Sequence, residues 1–245
     1  MNSFNAMRKF LFDKVPVDIV SFEEILNLFE KRLVKNLGLR IITLNPEMVM
    51  YSMKKNDSSS VMLETFNKAD LVVPDGIGIA IFLNTKRMSG IDLIPHFLEI
   101  CKRHNKGVYL IGSTDEVVKS LSEKLLKTGI NVSGYENGYF TDFKPSIERI
   151  ISSGATFVMA AMGFPKQEIF LNELFKVKND IIGIGVGGSF DVLSGKKKRA
   201  PEIFRNFGLE WLYRLLSEPT RLKRMLVLPK FALLAFFWRM KKFGE

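Results

Sequence analysis

The sequence predicts an α/β fold: a parallel sheet flanked by helices on both faces, with a basic helical C-terminal appendage. Three observations predict it. Five short apolar runs each end in turn residues and are each followed by a segment of helical pattern, the alternation that builds a parallel sheet. The chain has 245 residues, 47% apolar and 25% charged, enough for a full core and unlike a disordered or collagen-like chain. The charge is also uneven. The net value is +10, yet residues 196–245 hold 13 basic and 4 acidic side chains, whereas residues 1–195 hold 23 and 22. This divides the chain into an α/β core, residues 1-195, and a basic appendage, residues 196-245.

The elements follow in order. Ser21 and Glu24 form a capping box that opens a helix running to about Asn36. Residues 39–44 read as a buried strand, and Asn45 then Pro46 as an N-cap and first helical position. The pattern recurs at residues 71–73, which end at Pro74-Asp75-Gly76, and at residues 107–111, which end at Gly112-Ser113-Thr114. It recurs again at residues 157–162, ending at Gly163-Phe164-Pro165, and at residues 181–186, ending at Gly187-Gly188-Ser189. Beyond Gly195 the character changes. Residues 202–216 and 220–243 are helical in pattern, separated by Glu218-Pro219. The apolar run 225–238 is only 14 residues long and contains Pro229 and Lys230, too short and broken to span a bilayer. An interfacial helix, apolar and aromatic on one face and basic on the other, fits it. The same apolar face would also be covered in a homo-oligomer. Cys101 alone excludes an internal disulfide framework, and no secretory signal is visible at the start.

Ligands of open parallel sheets sit beyond the carboxyl ends of the strands. Those ends carry Thr43, Asn45, Asp75, Gly112, Gly163, Gly187 and Gly188. Glycines there let a ligand approach the backbone, and helix N-termini offer N–H groups to phosphate. Asp75, between Pro74 and Gly76, is the carboxylate best placed to act as a general base; capping the next helix is its alternative role. Asp92, Glu168 and Asp191 lie in or near similar turns.

Several motifs are decoys. Residues 183–188 match G-x-G-x-x-G, but on the last strand, with no later strand ending in an acidic residue. The stretch from Gly188 to Lys196 departs from a Walker loop in spacing and lacks the following Ser or Thr. No D-x-D pair suggests a metal held between carboxylates. His96 and His104 lie eight apart on one predicted helix with no ligand cluster near them in sequence.

A resemblance rests on eight ordered motifs: Thr43-Leu-Asn-Pro-Glu47, Pro74-Asp-Gly-Ile-Gly78, Arg87-Met-Ser-Gly-Ile-Asp92, Gly134-Tyr-Glu-Asn-Gly-Tyr-Phe140, Gly163-Phe-Pro-Lys-Gln-Glu168, Gly187-Gly-Ser-Phe-Asp191, Lys198-Arg-Ala-Pro201 and Leu209-Glu-Trp-Leu-Tyr-Arg214. Over about residues 10–230 the chain resembles the WecG/TagA/CpsF glycosyltransferase family. The resemblance implies a Rossmann-like core and an inverting, metal-independent transfer of a sugar, ManNAc-type or a related hexose. The donor would be a UDP-sugar and the acceptor a sugar on undecaprenyl diphosphate, in polysaccharide, capsule or teichoic acid synthesis. It also implies no cofactor and a peripheral location at the cytoplasmic face of the cell membrane. The basic residues of the tail are interleaved with Leu, Phe and Trp, which suits a bilayer better than a nucleic acid, so no nucleic-acid partner is expected.

Carried over residue by residue, the resemblance implies Asp75 as the base and Thr43, Asn45, Arg87 and Gln167 as pocket residues. It implies Arg214, Arg221 and Arg224 as appendage arginines reaching the diphosphate. Gly112, Tyr135, Gly163, Lys166, Gly187, Gly188 and Asp191 complete the expected donor site, the glycine turns supplying N–H groups. One departure stands: Phe164 occupies a position where the family usually carries a small residue, which would reshape the pocket. Two other classes compete with this reading. A nicotinamide-dependent oxidoreductase would use residues 183–188, and a non-catalytic membrane- or nucleic-acid-binding module would use the basic tail alone.

Overall fold

The computed structural model describes residues 7–218 and 222–243. It opens with a hairpin of β1 (Met7–Leu11) and β2 (Val15–Ile19), paired antiparallel. Buried Asp18 holds the hairpin: it accepts from Arg8 Nε and Nη2, each at 2.8 Å, and from the Val72 N–H at 2.7 Å. The hairpin is an addition to the sequence reading. Its turn residues Phe12 and Asp13 take φ values of 52° and 58° without a glycine, so no Gly or Asn announces the turn.

The core then alternates as expected. In order come α1 (Phe22–Val34), β3 (Leu39–Leu44), α2 (Pro46–Ser52), α3 (Asp57–Asn67), β4 (Leu71–Pro74), α4 (Ile77–Leu83) and α5 (Gly90–Arg103). Next are β5 (Val108–Gly112), α6 (Asp115–Lys127), β6 (Val132–Glu136), α7 (Lys144–Ser152), β7 (Phe157–Ala161), α8 (Lys166–Val177), β8 (Ile182–Gly185) and α9 (Ser189–Leu193). The capping box at Ser21 and the Asn45 N-cap with Pro46 are both present. Strands β3 to β8 form one parallel sheet in the order β4-β3-β8-β7-β5-β6.

Strands β3, β4, β5, β7 and β8 are buried on both faces, which is why they read as continuous apolar runs. Leu39, Ile41, Leu71, Val73 and Ile184 face a cluster with α1, α5 and α6. The alternate residues Ile42, Leu44 and Val72 face a second cluster, which the hairpin, α2 and α3 complete. The chain leaves β4 at one edge and re-enters as β5 on the far side of β7 and β8. Ligands of such a sheet are expected beyond the carboxyl ends of its strands, the edge that carries the turns after β3, β4, β7 and β8.

The appendage departs from two long helices. It comprises α10 (Glu202–Asn206), α11 (Glu210–Ser217), α12 (Leu222–Met225) and α13 (Val227–Phe243). Gly208, at φ 69°, breaks the first predicted helix, a left-handed position that favours glycine. Helix α13 also corrects the expectation of one apolar and one basic face. Phe231 and Ala235 are buried in the second cluster, yet Leu233, Phe236, Phe237 and Met240 are exposed. The helix is apolar on both sides because one side packs on Phe12 and Phe82 of the core. No helix of the described residues is long and apolar enough to cross a membrane.

Candidate active site

Asp75 follows β4, where its N–H donates to the Leu44 carbonyl at 2.9 Å. That bond folds the chain over the end of β3. Gly76, not Asp75, is the N-cap of α4. A Cβ at Gly76 would lie 2.3 Å from the Pro46 ring, so only glycine permits this turn. The Asp75 side chain is partly buried, with Arg87 Nε 3.7 Å from its Oδ1. Arg87 is brought there because the next residue, Met88, donates its N–H to the Pro74 carbonyl at 2.8 Å.

The other end of the Arg87 fork leads out of the core. Its Nη2 donates to Glu210 Oε2 at 2.7 Å, and Glu210, on α11, is itself buried. Burial works against the Arg87 charge. The hydrogen bond to Glu210 and the carboxylates of Asp75, Glu210 and Asp92 outweigh it, so its pKa lies above the ordinary guanidinium value. Close packing seats α11 here: a Cβ on Gly208 would come within 2.8 Å of Ile77, two residues beyond Asp75. A second appendage contact is alongside, Arg199 Nη2 donating to Asp92 Oδ1 at 2.6 Å.

On the other side of β3 a second polar network closes the ends of β7 and β8. Buried Thr43 donates its hydroxyl to the Gly185 carbonyl at 3.1 Å. Gln167, in the first turn of α8, accepts at Oε1 from the Gly163 N–H at 3.1 Å and from the Gly187 N–H at 3.0 Å. Its Nε2 donates to Glu168 Oε1 at 2.8 Å. Both turn glycines have positive φ, 76° and 49°, and a Cβ on either would meet nothing within 4 Å. The turns thus border open space, as expected of a ligand crevice. Their N–H groups, however, are taken by Gln167, which corrects the expectation that they face the ligand.

The same network explains the G-x-G-x-x-G decoy. A Cβ on Gly183 would press on Phe175 at 2.9 Å, and one on Gly185 would lie 2.4 Å from Gln167 Nε2. These glycines make room for α8, so the dinucleotide reading loses its only motif.

The remaining expected residues are distributed along this edge. Asn45 caps α2, its side chain accepting from the Met48 N–H at 3.1 Å. Gly112 ends β5 at φ 132°, where a Cβ would strike the Ala161 backbone at 2.4 Å. Tyr135 is exposed on edge strand β6. Lys166 donates to the Gly138 carbonyl at 2.9 Å and to that of Phe140, so it pins the loop after β6 rather than standing as an open cation. Gly188 is the N-cap of α9. Asp191, in the first turn of α9, lies 3.9 Å from Lys197 Nζ. A cavity of about 260 Å³ beside this turn is lined by Gly188, Lys197, Lys198, Arg199, Glu210 and Tyr213, among others. Phe164 packs edge-on against Tyr51 of α2, with ring centroids 5.0 Å apart. Arg221 lies outside the described residues, as do the side chains of Arg214 and Arg224.

His104 bonds Glu30 at 2.6 Å and His96 packs on Phe22, both away from this edge. Among the described residues no group of three or more His, Cys, Asp or Glu side chains could hold a metal ion. A cavity of about 570 Å³ lies at the opposite end of the sheet, bordered by Gly38, Arg40, Asp70 and Asn179. It precedes the strands instead of following them, the wrong end for a ligand of this architecture.

In the sequence Glu210 stands only within the motif Leu209-Glu-Trp-Leu-Tyr-Arg214, and nothing there assigns it a role. Glu168 reads in the sequence as an acid near a turn, and that reading gives no sign of its burial.

The chain is 34% identical over 227 residues to an N-acetylglucosaminyldiphosphoundecaprenol N-acetyl-beta-D-mannosaminyltransferase of Bacillus spizizenii strain W23, covering 89% of this chain and 86% of that protein. It is 33% identical over 207 residues to a protein of the same name from Bacillus subtilis strain 168, covering 81% and 79%. The model of the glycosyl transferase WecG/TagA/CpsF family matches residues 10–244. With the site at the carboxyl edge of a parallel sheet and a match over nearly the whole length, the chain belongs to this family of glycosyltransferases.

Proposed function

We propose that this chain transfers an N-acetylmannosamine-type sugar, or a related hexose, from a UDP-sugar to an acceptor sugar on undecaprenyl diphosphate, with inversion. The names of the two Bacillus relatives support the acceptor and the sugar class. The observation that carries the mechanism is the Asp75–Arg87–Glu210 arrangement at the end of β4.

In this reading Asp75 takes the proton of the acceptor hydroxyl as its oxygen attacks the anomeric carbon. The bond to UDP breaks on the opposite side, and the diphosphate gathers negative charge. Guanidinium groups suit that charge because their fork binds phosphate oxygens and stays charged at working pH. Arg87 is the core's candidate, and Arg214, Arg221 and Arg224 are the appendage's. No metal enters this scheme.

The acceptor lipid is confined to a bilayer, so the enzyme must reach it. The exposed Leu233, Phe236, Phe237 and Met240 of α13, with Lys230, Arg239 and Lys241 on the same helix, fit a peripheral membrane contact. Replacing Phe236 and Phe237 by Asp should abolish flotation with anionic liposomes; unchanged flotation would contradict this contact.

The test of the function is a donor screen. Purified protein is given a panel of UDP-sugars and a synthetic lipid-diphosphate N-acetylglucosamine acceptor, with products read by mass spectrometry. A disaccharide lipid from UDP-N-acetylmannosamine or a related UDP-hexose is expected. Hydrolysis alone, or no product with any UDP-sugar, would contradict the reading.

A further inference from the structure

Glu168 is a buried carboxyl at the site edge that the proposed mechanism does not use. The residue is 2% exposed, and its Oε2 has no hydrogen-bond partner among the described residues. Leaving such an oxygen buried and unpaired is costly, and the cost is greatest when the group is ionised. Burial accordingly pushes the Glu168 carboxyl up to about 7, against the opposing effect of the Gln167 hydrogen bond and with a smaller upward push from Glu47. A residue kept at this cost beside a ligand crevice calls for a use.

Its bond to Gln167 supplies one. A primary amide has one accepting end and one donating end. Gln167 must present its oxygen to two N–H donors, those of Gly163 and Gly187. Glu168 Oε1 occupies the donating end at 2.8 Å. With the amide reversed, an NH₂ group would face two N–H donors and its oxygen would face a carboxyl oxygen. Glu168 Oε1 thus holds the donating end and reinforces the orientation that the two N–H donors require, in which Gln167 ties together the turns after β7 and β8. Gly185 leaves the room for it, since a Cβ there would lie 2.9 Å from Glu168 Oε1.

We propose that Glu168 is a positioning residue for donor binding: it fixes the Gln167 amide, and Gln167 fixes the two glycine turns that border the nucleotide-sugar site. This inference rests on the UDP-sugar reading above for its ligand, but not for its geometry.

The test uses the full chain with Glu168→Gln, Glu168→Leu, Gln167→Ala and the Gln167→Ala/Glu168→Leu double variant. Amide hydrogen exchange at Gly163 and Gly187 reads the clamp, and calorimetric titration with UDP reads the site. Glu168→Gln keeps an acceptor opposite Gln167 Nε2 and should change either readout by less than about threefold. Glu168→Leu should speed exchange at both glycines and weaken UDP binding, each by about tenfold. In the Gln167→Ala background it should add nothing, because the partner it acts through is gone. Should Glu168→Leu fail to fold, Glu168→Met, closer in shape, takes its place. Unchanged exchange at Gly163 and Gly187, or fully additive losses in the double variant, would overturn the proposal. If UDP fails to bind even the wild-type chain, the nucleotide reading falls alone, and the exchange data still decide the clamp.

Discussion

Two polar networks flank Thr43 at one sheet edge, and they differ in where their members originate. The clamp of Gln167, Glu168, Gly163, Gly187 and Gly185 is built wholly within the core, from the ends of neighbouring strands and the helix after β7. The bridge of Asp75, Arg87 and Glu210 joins core to appendage, its outer carboxylate lying 123 residues beyond the arginine in sequence. The clamp needs only elements of the core, the turns after β7 and β8 and the first turn of α8. The bridge is complete only when α11 is seated on Ile77 and Arg87. The proposed base is thus coupled through one guanidinium to α11 of the appendage, whose last helix, α13, is the one proposed to meet the membrane.

The difference can be broken from either side. Of the two residues that join core to appendage, the shared arginine is expected to have the larger effect. Arg87→Ala removes a charge-stabilising donor and should lower turnover by about 10²–10³-fold, measured with saturating donor and acceptor. A fall of only a few-fold would place Arg87 outside the reacting centre. The appendage end should matter less. Glu210→Gln retains an acceptor for Arg87 but loses the charge, so turnover should drop by about tenfold while the melting temperature changes little. Equal losses in Arg87→Ala and Glu210→Gln would mean that Glu210 does more than orient Arg87.

On the clamp side a further effect is expected on stability. The Glu168 pKa rises from 4.5 to about 7 on folding. The folded chain therefore holds this proton more tightly, and the contribution is fully present below about pH 4.5. It is lost as pH rises to about 7, by an amount on the order of 3 kcal/mol. Glu168→Gln should flatten that decline in denaturant titrations across the window. A decline equally steep in the variant would show that other groups cause it.

Much of the fold was legible because the strands are buried on both faces and end in turn residues. Residues 39–44, 71–74 and 157–161 carry that signal plainly, as do the caps at Ser21 and Asn45. Strand β6 escaped because it is a half-exposed edge strand with Gly134 and Glu136 inside it. The hairpin escaped because β1 is exposed over four of its five residues and β2 contains Pro16.

At the site, Asp75 could be read from its strand-end position. The Arg87–Glu210 bond could not, since a single sequence does not reveal a pairing across the appendage. Glu168 resembled an ordinary acid in the first turn of a helix, where it would complement the dipole. Only its burial against Gly185 distinguishes it. In α13 one set of apolar residues, Phe231 and Ala235, packs on the core and another, Leu233, Phe236, Phe237 and Met240, is exposed, so the pattern has no single face to read.

Asp75 acting as the base is the central step of the proposed transfer. Its direct measurement is turnover of Asp75→Asn beside calorimetric titration of the same protein with UDP. Turnover should fall by about 10²–10⁴-fold, the usual contribution of general base catalysis, with UDP affinity nearly unchanged. Near-normal turnover in a variant that still binds UDP would contradict it.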